Sequence, residues 1–220
     1  MGELIEFRRP DGKTAPGYLA APTGSGPGVV VIQEWWGLNE QIKKTADRLA
    51  AAGFRALVPD LFRGELAKNS QEATHLMSHL DFPQAAQQDV RGALQHLKQG
   101  GGKVGVLGFC MGGALTIIAA AKVPETDAAV CFYGIPPAEA ADPSTIRIPV
   151  LAHFATQDDW CNPTAVAALE KSLQAGGVPY ELHRYYAHHA FFNEVRPEVY
   201  DKAAAQLAWD RSVTFLRKHL

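Results

Sequence analysis

The stretch that most constrains the fold runs from residue 103 to residue 121 and reads KVGVLGFCMGGALTIIAAA. Its first part, residues 104–107, is a short apolar run typical of a strand buried on both faces. Its last part, residues 114–121, is apolar except for Thr116 and is long enough to form a buried helix. A strand that turns directly into a helix is the repeating unit of an α/β fold, and we therefore expect that class.

The corner between this strand and this helix has the sequence Gly108-Phe-Cys110-Met-Gly112, in which glycines flank one nucleophilic residue. Glycine removes the side chains that would collide in a strained turn, and such a turn lifts the central side chain clear of the sheet. The turn also directs the next backbone N–H groups, beginning with Met111, toward whatever that side chain attacks. Cys110 is therefore a candidate nucleophile. The alternative is a small buried filler residue, since free cysteines are often buried.

Composition and charge narrow the class of protein. The chain has 220 residues, 47% hydrophobic and 20% charged, which predicts one globular domain over residues 1–220. A net charge of −2 gives no support for nucleic acid or an anionic membrane as a partner. We see no transmembrane run and no signal core, and the three cysteines lack the spacing of a disulfide framework or a metal site. We expect a cytoplasmic protein with reduced thiols and no metal.

The rest of the chain alternates strand patterns with helix patterns. A turn signal at residues 10–13, between residues 4–8 and 17–21, predicts an N-terminal antiparallel hairpin. Further strands are predicted at residues 29–32, 55–58, 104–107, 128–132, 149–154 and 180–185, and helices at 40–52, 70–80, 84–98, 163–175 and 199–219. Elements in this order favour right-handed crossovers and a mostly parallel central sheet with helices on both faces.

Polar residues follow several of these predicted strands. In an open parallel sheet, reactive groups collect at the carboxyl ends of the strands. Cys110, the acidic pair at 158–159 and the histidine pair at 188–189 occur in the chain order of an α/β-hydrolase triad. A histidine can take the thiol proton, and a carboxylate can orient that histidine. The residues alone leave open which member of each pair takes part, and an acid here could instead cap the helix at 163.

The segment after the strand at residues 29–32 is the fourth candidate. A glutamate at the end of an apolar strand, here Glu34, would be partly buried and would have a shifted pKa. The N–H of Trp35 is a natural second donor to an oxyanion, beside that of Met111. Trp36 is either a wall of a pocket or an ordinary core aromatic. Elsewhere, Cys161 is interpreted as a loop thiol without chemistry.

Five segments together resemble the dienelactone hydrolase (carboxymethylenebutenolidase) family of α/β-hydrolases. They are Gln33-Glu34, the elbow GFCMGG, Phe132-Tyr133-Gly134, Gln157-Asp158 and the Ala-x-His189-x-Phe191 segment. The resemblance implies an α/β-hydrolase fold and a Cys–His–Asp triad that cleaves cyclic enol-lactones without a metal or organic cofactor. By position, it makes Cys110 the nucleophile, Asp158 the acid and His189 the base.

The resemblance also has implications for the surroundings of the triad. It implies that Glu34 hydrogen-bonds the resting thiol and takes its proton when substrate binds. Trp36, Tyr133 and Asn193 are expected to contact the substrate. The sequence departs from the family at the arginines that hold the substrate carboxylate, because Asn193 stands in the corresponding place with Arg196 only nearby. Without a bidentate cation at that place, a preference for dienelactone itself is not predicted.

The sequence thus predicts a hydrolase of ester or lactone bonds that works through a thioacyl-enzyme at Cys110. Its partner would be a small-molecule ester or lactone, and the protein would be a monomer or a small homo-oligomer. Two alternatives remain open at this stage. One is a thiol-dependent acyltransferase or peptidase. The other is a catalytically lapsed hydrolase fold that binds a small ligand or senses oxidants through Cys110.

Overall fold

The structure is a computed structural model that describes residues 2–23 and 25–220. Its strands form one eight-stranded sheet in the order β1-β2-β4-β3-β5-β6-β7-β8. The strands are β1 Glu3–Arg8, β2 Thr14–Ala20, β3 Gly28–Ile32, β4 Arg55–Pro59, β5 Val104–Phe109, β6 Ala128–Phe132, β7 Val150–Gln157 and β8 Tyr180–His188. Strands β1 and β2 form the antiparallel hairpin, β2 pairs antiparallel with β4, and all other pairs are parallel. The predicted fold class is confirmed.

Helices cover both faces of this sheet. They are α1 Glu40–Ala51, α2 Ser70–Ser78, α3 Phe82–Gln84, α4 Arg91–Lys98, α5 Met111–Lys122, α6 Pro163–Ala175 and α7 Lys202–His219. Alternate residues of β3 enter opposite cores. Val30 belongs to the cluster that includes residues of α4, α5 and α6, whereas Val31 belongs to the cluster that includes residues of α1 and α7. This division follows from the two-residue period of a strand. No helix within the described part of the chain is both long and apolar enough to cross a bilayer.

Several element boundaries differ from those predicted. The cap of α2 is Asn69, whose side chain accepts the N–H of Glu72, and the helix ends at Ser78 rather than at residue 80. The helix predicted at 84–98 is divided, since Ala85–Val90 is π-helical and separates α3 from α4. Strands β7 and β8 each continue three residues beyond their predicted ends, to Gln157 and His188. This extension brings the sheet up to the residues proposed above as acid and base.

A buried polar chain fixes β7, β8 and α7 to one another. The hydroxyl of Ser212 donates to the carbonyl of Ala208, so it accepts the N–H of His153 Nε2 at 3.0 Å. Arg211 donates to the Tyr185 hydroxyl, which in turn donates to His153 Nδ1 at 2.9 Å. Burial lowers the pKa of His153 well below its ordinary value, which keeps the imidazole neutral. The two strands that carry the candidate acid and base are thereby held in register.

Candidate active site

The corner between β5 and α5 is strained at Cys110, which has φ 54° and ψ −115°. A non-glycine residue in such a conformation costs about 1–3 kcal/mol and persists where its surroundings over-determine it. The glycines at the corner are required by close approach of the backbone. A methyl group on Gly112 would collide with the carbonyl oxygens of Ile32 and Gln33. The start of α5 therefore packs directly against the end of β3, and the thiol stands at the edge of the sheet.

Cys110, His189 and Asp158 form one hydrogen-bonded chain. His189 Nε2 lies 3.2 Å from Cys110 Sγ, and His189 Nδ1 lies 2.7 Å from Asp158 Oδ2. The other carboxylate oxygen, Asp158 Oδ1, accepts the backbone N–H groups of Trp160 and Cys161, each at 2.8 Å. Because one oxygen is fixed by this turn, the second is aimed at the imidazole. The structure therefore brings together the three residues that the resemblance implied.

The other member of each ambiguous pair lies outside this chain. Asp159 is exposed at the rim of the pocket, whereas Asp158 is 3% exposed. His188 is the last residue of β8, its side chain is exposed, and its Nδ1 lies 3.3 Å from the carbonyl of Gln157. After it, Ala190 takes a left-handed conformation with φ 63°, and the chain turns so that the His189 ring faces the elbow. In each pair of neighbouring residues, therefore, one side chain belongs to the hydrogen-bonded chain and the other faces solvent.

The hydrogen-bond partners of His189 raise its affinity for a proton. Burial by itself would lower the pKa of the imidazole, but its hydrogen bonds to Asp158 and Cys110 raise the pKa to about 10. An imidazolium is a donor at both nitrogens, which suits a carboxylate on one side and a thiolate on the other. His189 is therefore able to hold the proton that the thiol must lose in order to react.

Two residues that could supply backbone N–H donors, Met111 and Trp35, follow adjacent strands at this edge of the sheet. Met111 is the first residue of α5, so its N–H has no intrahelical acceptor. Trp35 follows β3, which is the neighbour of β5 in the sheet, with Ile32 opposite Gly108. Both residues line the pocket that contains Cys110. Their placement after adjacent strands is the arrangement expected for the two donors of an oxyanion hole.

Glu34 is buried beneath this site but hydrogen-bonds residues other than the thiol. Its Oε1 accepts the Tyr133 hydroxyl at 3.2 Å, and its Oε2 accepts Asn193 Nδ2 at 2.6 Å. The contact between Glu34 and the resting thiol that the resemblance implied is therefore not the one observed, because the thiol pairs with His189. Burial raises the pKa of Glu34 above its ordinary value, although the Asn193 and Tyr133 donors oppose that shift.

The position of Asn193 does not support the expected contact with substrate. Asn193 is fully buried and does not line the pocket. Its N–H closes a tight turn onto the carbonyl of Ala190, at 2.9 Å, and the side chain turns inward to the Glu34 carboxyl. The physical reason is that a buried carboxyl needs donors, and the amide of Asn193 supplies one. Trp36 and Tyr133, the other two expected substrate contacts, do line the pocket.

The raised pKa of Glu34 leads to a prediction about pH. Below its ordinary pKa of 4.5, both folded and unfolded chains are protonated at this residue. As the pH rises, the unfolded chain releases this proton at a lower pH than the folded chain does. The free energy of unfolding of the wild-type protein therefore falls until the pH passes the pKa of Glu34 in the folded state. Glu34→Gln cannot titrate and should therefore gain free energy of unfolding relative to wild type as the pH rises. Urea denaturation at a series of pH values measures this difference.

The matched control is Glu194→Gln, which removes an exposed carboxylate from the nearby loop. Its difference from wild type should stay nearly constant over the same pH range. A flat difference for Glu34→Gln as well would show that the Glu34 carboxyl has an ordinary pKa in the folded state.

The pocket above Cys110 has a volume of about 590 Å³. Sequence reasoning missed several of its walls, namely Met77, Phe82, Ile135, Trp160, Cys161 and Glu198. Trp160 and Cys161 carry one recognisable signal, which is that they follow the acid Asp158 within a turn. Arg196 and Glu198 carry another, since oppositely charged residues two apart on a loop can pair.

Cys161 also belongs to a group of possible metal ligands. One ligand atom each from Asp158, Cys161 and His189 lies within 4.8 Å of the other two. These atoms already have partners, however, because Asp158 is bonded to His189 and the Cys161 thiol donates to the Tyr133 carbonyl at 3.4 Å. Burial raises the pKa of the Cys161 thiol well above its ordinary value, so the thiolate that a metal requires is disfavoured. The group does not fit a resident metal ion.

Comparison with known proteins gives a consistent result. The sequence pattern of the dienelactone hydrolase family matches residues 15–220. "Protein usf" of Aquifex pyrophilus is 37% identical over 231 residues, and "Putative carboxymethylenebutenolidase" of Aquifex aeolicus is 35% identical over 231 residues. Each of these alignments covers 100% of both chains.

A solved structure agrees with this assignment. The crystal structure described as "Putative Dienelactone Hydrolase" from Klebsiella pneumoniae superposes with a TM-score of 0.87 at 26% identity, over 100% of both chains. The sequence match covers the sheet from β2 onward and includes the elbow, the acid and the histidine. The chain belongs to the dienelactone hydrolase family.

Proposed function

We propose that the protein hydrolyses ester or lactone bonds of a small molecule through a thioacyl-enzyme at Cys110. The observation that carries this proposal is the continuous chain from Asp158 through His189 to Cys110, with separations of 2.7 and 3.2 Å. This chain lies at the base of a pocket large enough for a small molecule. Nucleophile, base and orienting acid within hydrogen-bond reach are the signature of covalent acyl transfer.

In the first step, the thiol of Cys110 transfers its proton to His189 Nε2, and the sulfur attacks the carbonyl carbon of the ester. The electron pair of the C=O bond moves to oxygen, which accepts the N–H groups of Met111 and Trp35. Loss of one donor of this kind typically raises the barrier by about 2.7–4 kcal/mol. Asp158 stabilises the imidazolium that forms but does not itself take a proton.

The tetrahedral intermediate then collapses to a thioester. The C–O bond to the leaving group breaks, and the departing alkoxide takes the proton from His189 Nε2. In a lactone, the leaving alcohol remains attached to the acyl chain. Water next gives a proton to His189 and attacks the thioester carbon, after which the sulfur leaves and the carboxylic acid is released.

We assign the thiol proton to His189 rather than to Glu34. The geometry supports this assignment, because His189 is the hydrogen-bond partner of the thiol. The two oxygens of the Glu34 carboxyl instead accept hydrogen bonds from Tyr133 and Asn193. The Tyr133 ring also packs edge-on against the His189 ring, with centroids 5.1 Å apart. Glu34 would therefore act on the site by holding Tyr133, and Tyr133 would support the imidazole.

Trapping the acyl-enzyme tests this proposal. The three cysteines fall in separate tryptic peptides, which cover residues 104–122, 123–147 and 148–171. After brief reaction with 4-nitrophenyl butyrate and an acid quench, we expect the butyryl mass on the Cys110 peptide alone. Hydroxylamine at neutral pH should remove it, as it does for a thioester. We also expect a rapid release of nitrophenolate followed by steady turnover.

Two other outcomes would contradict the proposal. A butyryl group that accumulates stoichiometrically on Cys110 without turnover would indicate a lapsed hydrolase. Turnover with no butyryl group on the Cys110 peptide would remove the thiol from the mechanism.

A further inference from the structure

The mouth of the pocket is aromatic. The ring of Trp35 lies between those of Trp36 and Trp160, at centroid separations of 5.4 and 5.7 Å, and both contacts are edge-to-face. Trp160 is nevertheless 65% exposed, and its ring centroid lies 6.3 Å from that of His189. Phe82 and Ile135 add further apolar side chains to the pocket lining. An exposed indole beside the reacting centre offers a flat apolar surface to a bound acyl or leaving group.

The charges around the pocket do not favour an anion. Among the described residues that line it, Arg196 is the one lysine or arginine, and Asp159 and Glu198 are acids facing the same space. The third acid, Glu34, is buried and accepts hydrogen bonds from Tyr133 and Asn193, so it offers no positive charge to a substrate. Transfer of a proton from Cys110 to His189 leaves the net charge of that pair unchanged. Two carboxylates thus face one guanidinium, and the pocket as a whole repels a negatively charged substrate.

The guanidinium of Arg196, moreover, already interacts with Glu198 and with the ring of Trp36. Its Nε donates to Glu198 Oε1 at 2.8 Å, and its guanidinium carbon lies 5.7 Å from the centroid of the Trp36 ring. Because a carboxylate binds one edge of the guanidinium and an indole lies against one face, fewer of its N–H groups are free to bind a substrate carboxylate. The side chains of Arg196 and Glu198 are 31% and 59% exposed. Such an exposed pair adds little to stability, so Glu198 can be changed without threatening the fold.

From these contacts we propose that the substrates are uncharged esters or lactones with an aromatic or bulky apolar group, and that the Arg196–Glu198 pair discriminates against carboxylate-bearing ones. This inference rests on the proposed ester or lactone hydrolysis and specifies its substrate class. The aromatic group stacks on Trp160 and Trp35, which places the scissile carbonyl between Cys110 and the two oxyanion donors. A carboxylate in the same place meets Asp159 and Glu198 and finds Arg196 engaged.

The test compares two esters that differ only in charge. They are 4-nitrophenyl 4-carbamoylbenzoate and 4-nitrophenyl 4-carboxybenzoate, which have nearly the same shape. For wild type we expect kcat/KM to favour the carbamoyl ester by about tenfold, which corresponds to about 1.4 kcal/mol. Glu198→Gln removes the negative charge that pairs with Arg196 and repels a carboxylate, so the carboxylate-to-carbamoyl ratio should rise by about tenfold. Glu194→Gln removes the same charge from the same loop away from the pocket and should leave the ratio at the wild-type value.

A second comparison tests the aromatic wall. Trp160→Ala should lower the ratio of kcat/KM for 4-nitrophenyl benzoate to that for 4-nitrophenyl acetate by about fivefold, in line with the loss of one aromatic contact. Trp160→Phe keeps a ring at that position and should restore most of the ratio.

The outcomes separate this inference from the function on which it rests. If 4-nitrophenyl acetate is not hydrolysed, the proposed hydrolase function fails, and the substrate class fails with it. If acetate is hydrolysed but wild type prefers the carboxylate ester, or Glu198→Gln leaves the ratio unchanged, the proposed substrate class alone is overturned. An unchanged benzoate-to-acetate ratio in Trp160→Ala would overturn the aromatic part.

Discussion

Cys110→Ala should reduce turnover of 4-nitrophenyl acetate by about 10⁴-fold or more, to the level that binding and the oxyanion donors alone sustain. The proposed mechanism forms its covalent bond at this sulfur, whereas the thiols of Cys131 and Cys161 donate to backbone carbonyls. Burial raises the pKa of Cys131 to about 12 and that of Cys161 well above its ordinary value, so neither supplies a thiolate near neutral pH. Initial rates under saturating ester, with the fold checked by circular dichroism, measure the loss.

Cys131→Ala is the matched control, because it removes a thiol that does not line the pocket. It should retain turnover wherever it remains folded. Substantial activity in Cys110→Ala would show that the strained elbow serves another purpose. The left-handed backbone at Cys110 accommodates alanine no better than cysteine, so a large change in stability is not expected from this substitution.

Asp158→Asn should lower kcat by about 10²–10⁴-fold while the fold is preserved. The amide oxygen can still accept the N–H groups of Trp160 and Cys161, which keeps the turn intact. The amide NH₂ then faces His189 Nδ1, which must become an acceptor. The proton of the neutral imidazole consequently moves to Nε2 and points at Cys110. Because Nε2 then carries a proton, it cannot accept the one from the thiol. The same change removes the carboxylate that raises the pKa of His189.

A comparison with Asp159→Asn makes this prediction specific. Asp159 lies at the rim of the pocket and forms no hydrogen bond to the imidazole, so its amide variant should affect kcat far less. The pH dependence of kcat distinguishes a lost orienting acid from a damaged fold, since only Asp158→Asn should displace the ionisation assigned to His189. A larger loss of kcat in Asp159→Asn than in Asp158→Asn would reverse the assignment of the acid.

The parts of the site that were predictable from sequence are those set by local geometry. The elbow follows from a buried strand, two close-packed glycines and one nucleophile within a few residues. The acid and histidine follow from the rule that polar residues after parallel strands meet at one edge of a sheet. The choice between Asp158 and Asp159 required the resemblance to a family, because neighbouring residues in a loop have no period that tells inward from outward.

Features that depend on distant contacts were not predictable in the same way. Glu34 and Asn193 are 159 residues apart, and nothing near Asn193 indicates that its amide turns inward to a buried carboxyl. The π-helical segment Ala85–Val90 also lacked a signal, because its apolar pattern over six residues fits an α-helix equally well. Cys161 lay close to Asp158 in sequence, yet only the turn after β7 places its thiol beside the imidazole.

The position of β8 at the margin of the sheet has a consequence for how activity is lost. Cys110 follows β5, which is flanked on both sides, whereas His189 follows β8, which is paired with β7 alone. A marginal strand opens at a lower free energy than a central one. The histidine can therefore detach while the nucleophile and its hydrophobic surroundings remain folded. The fraction of competent molecules at high temperature then depends on the contacts that close this margin, among them the bond from Tyr185 to His153, and not on the core.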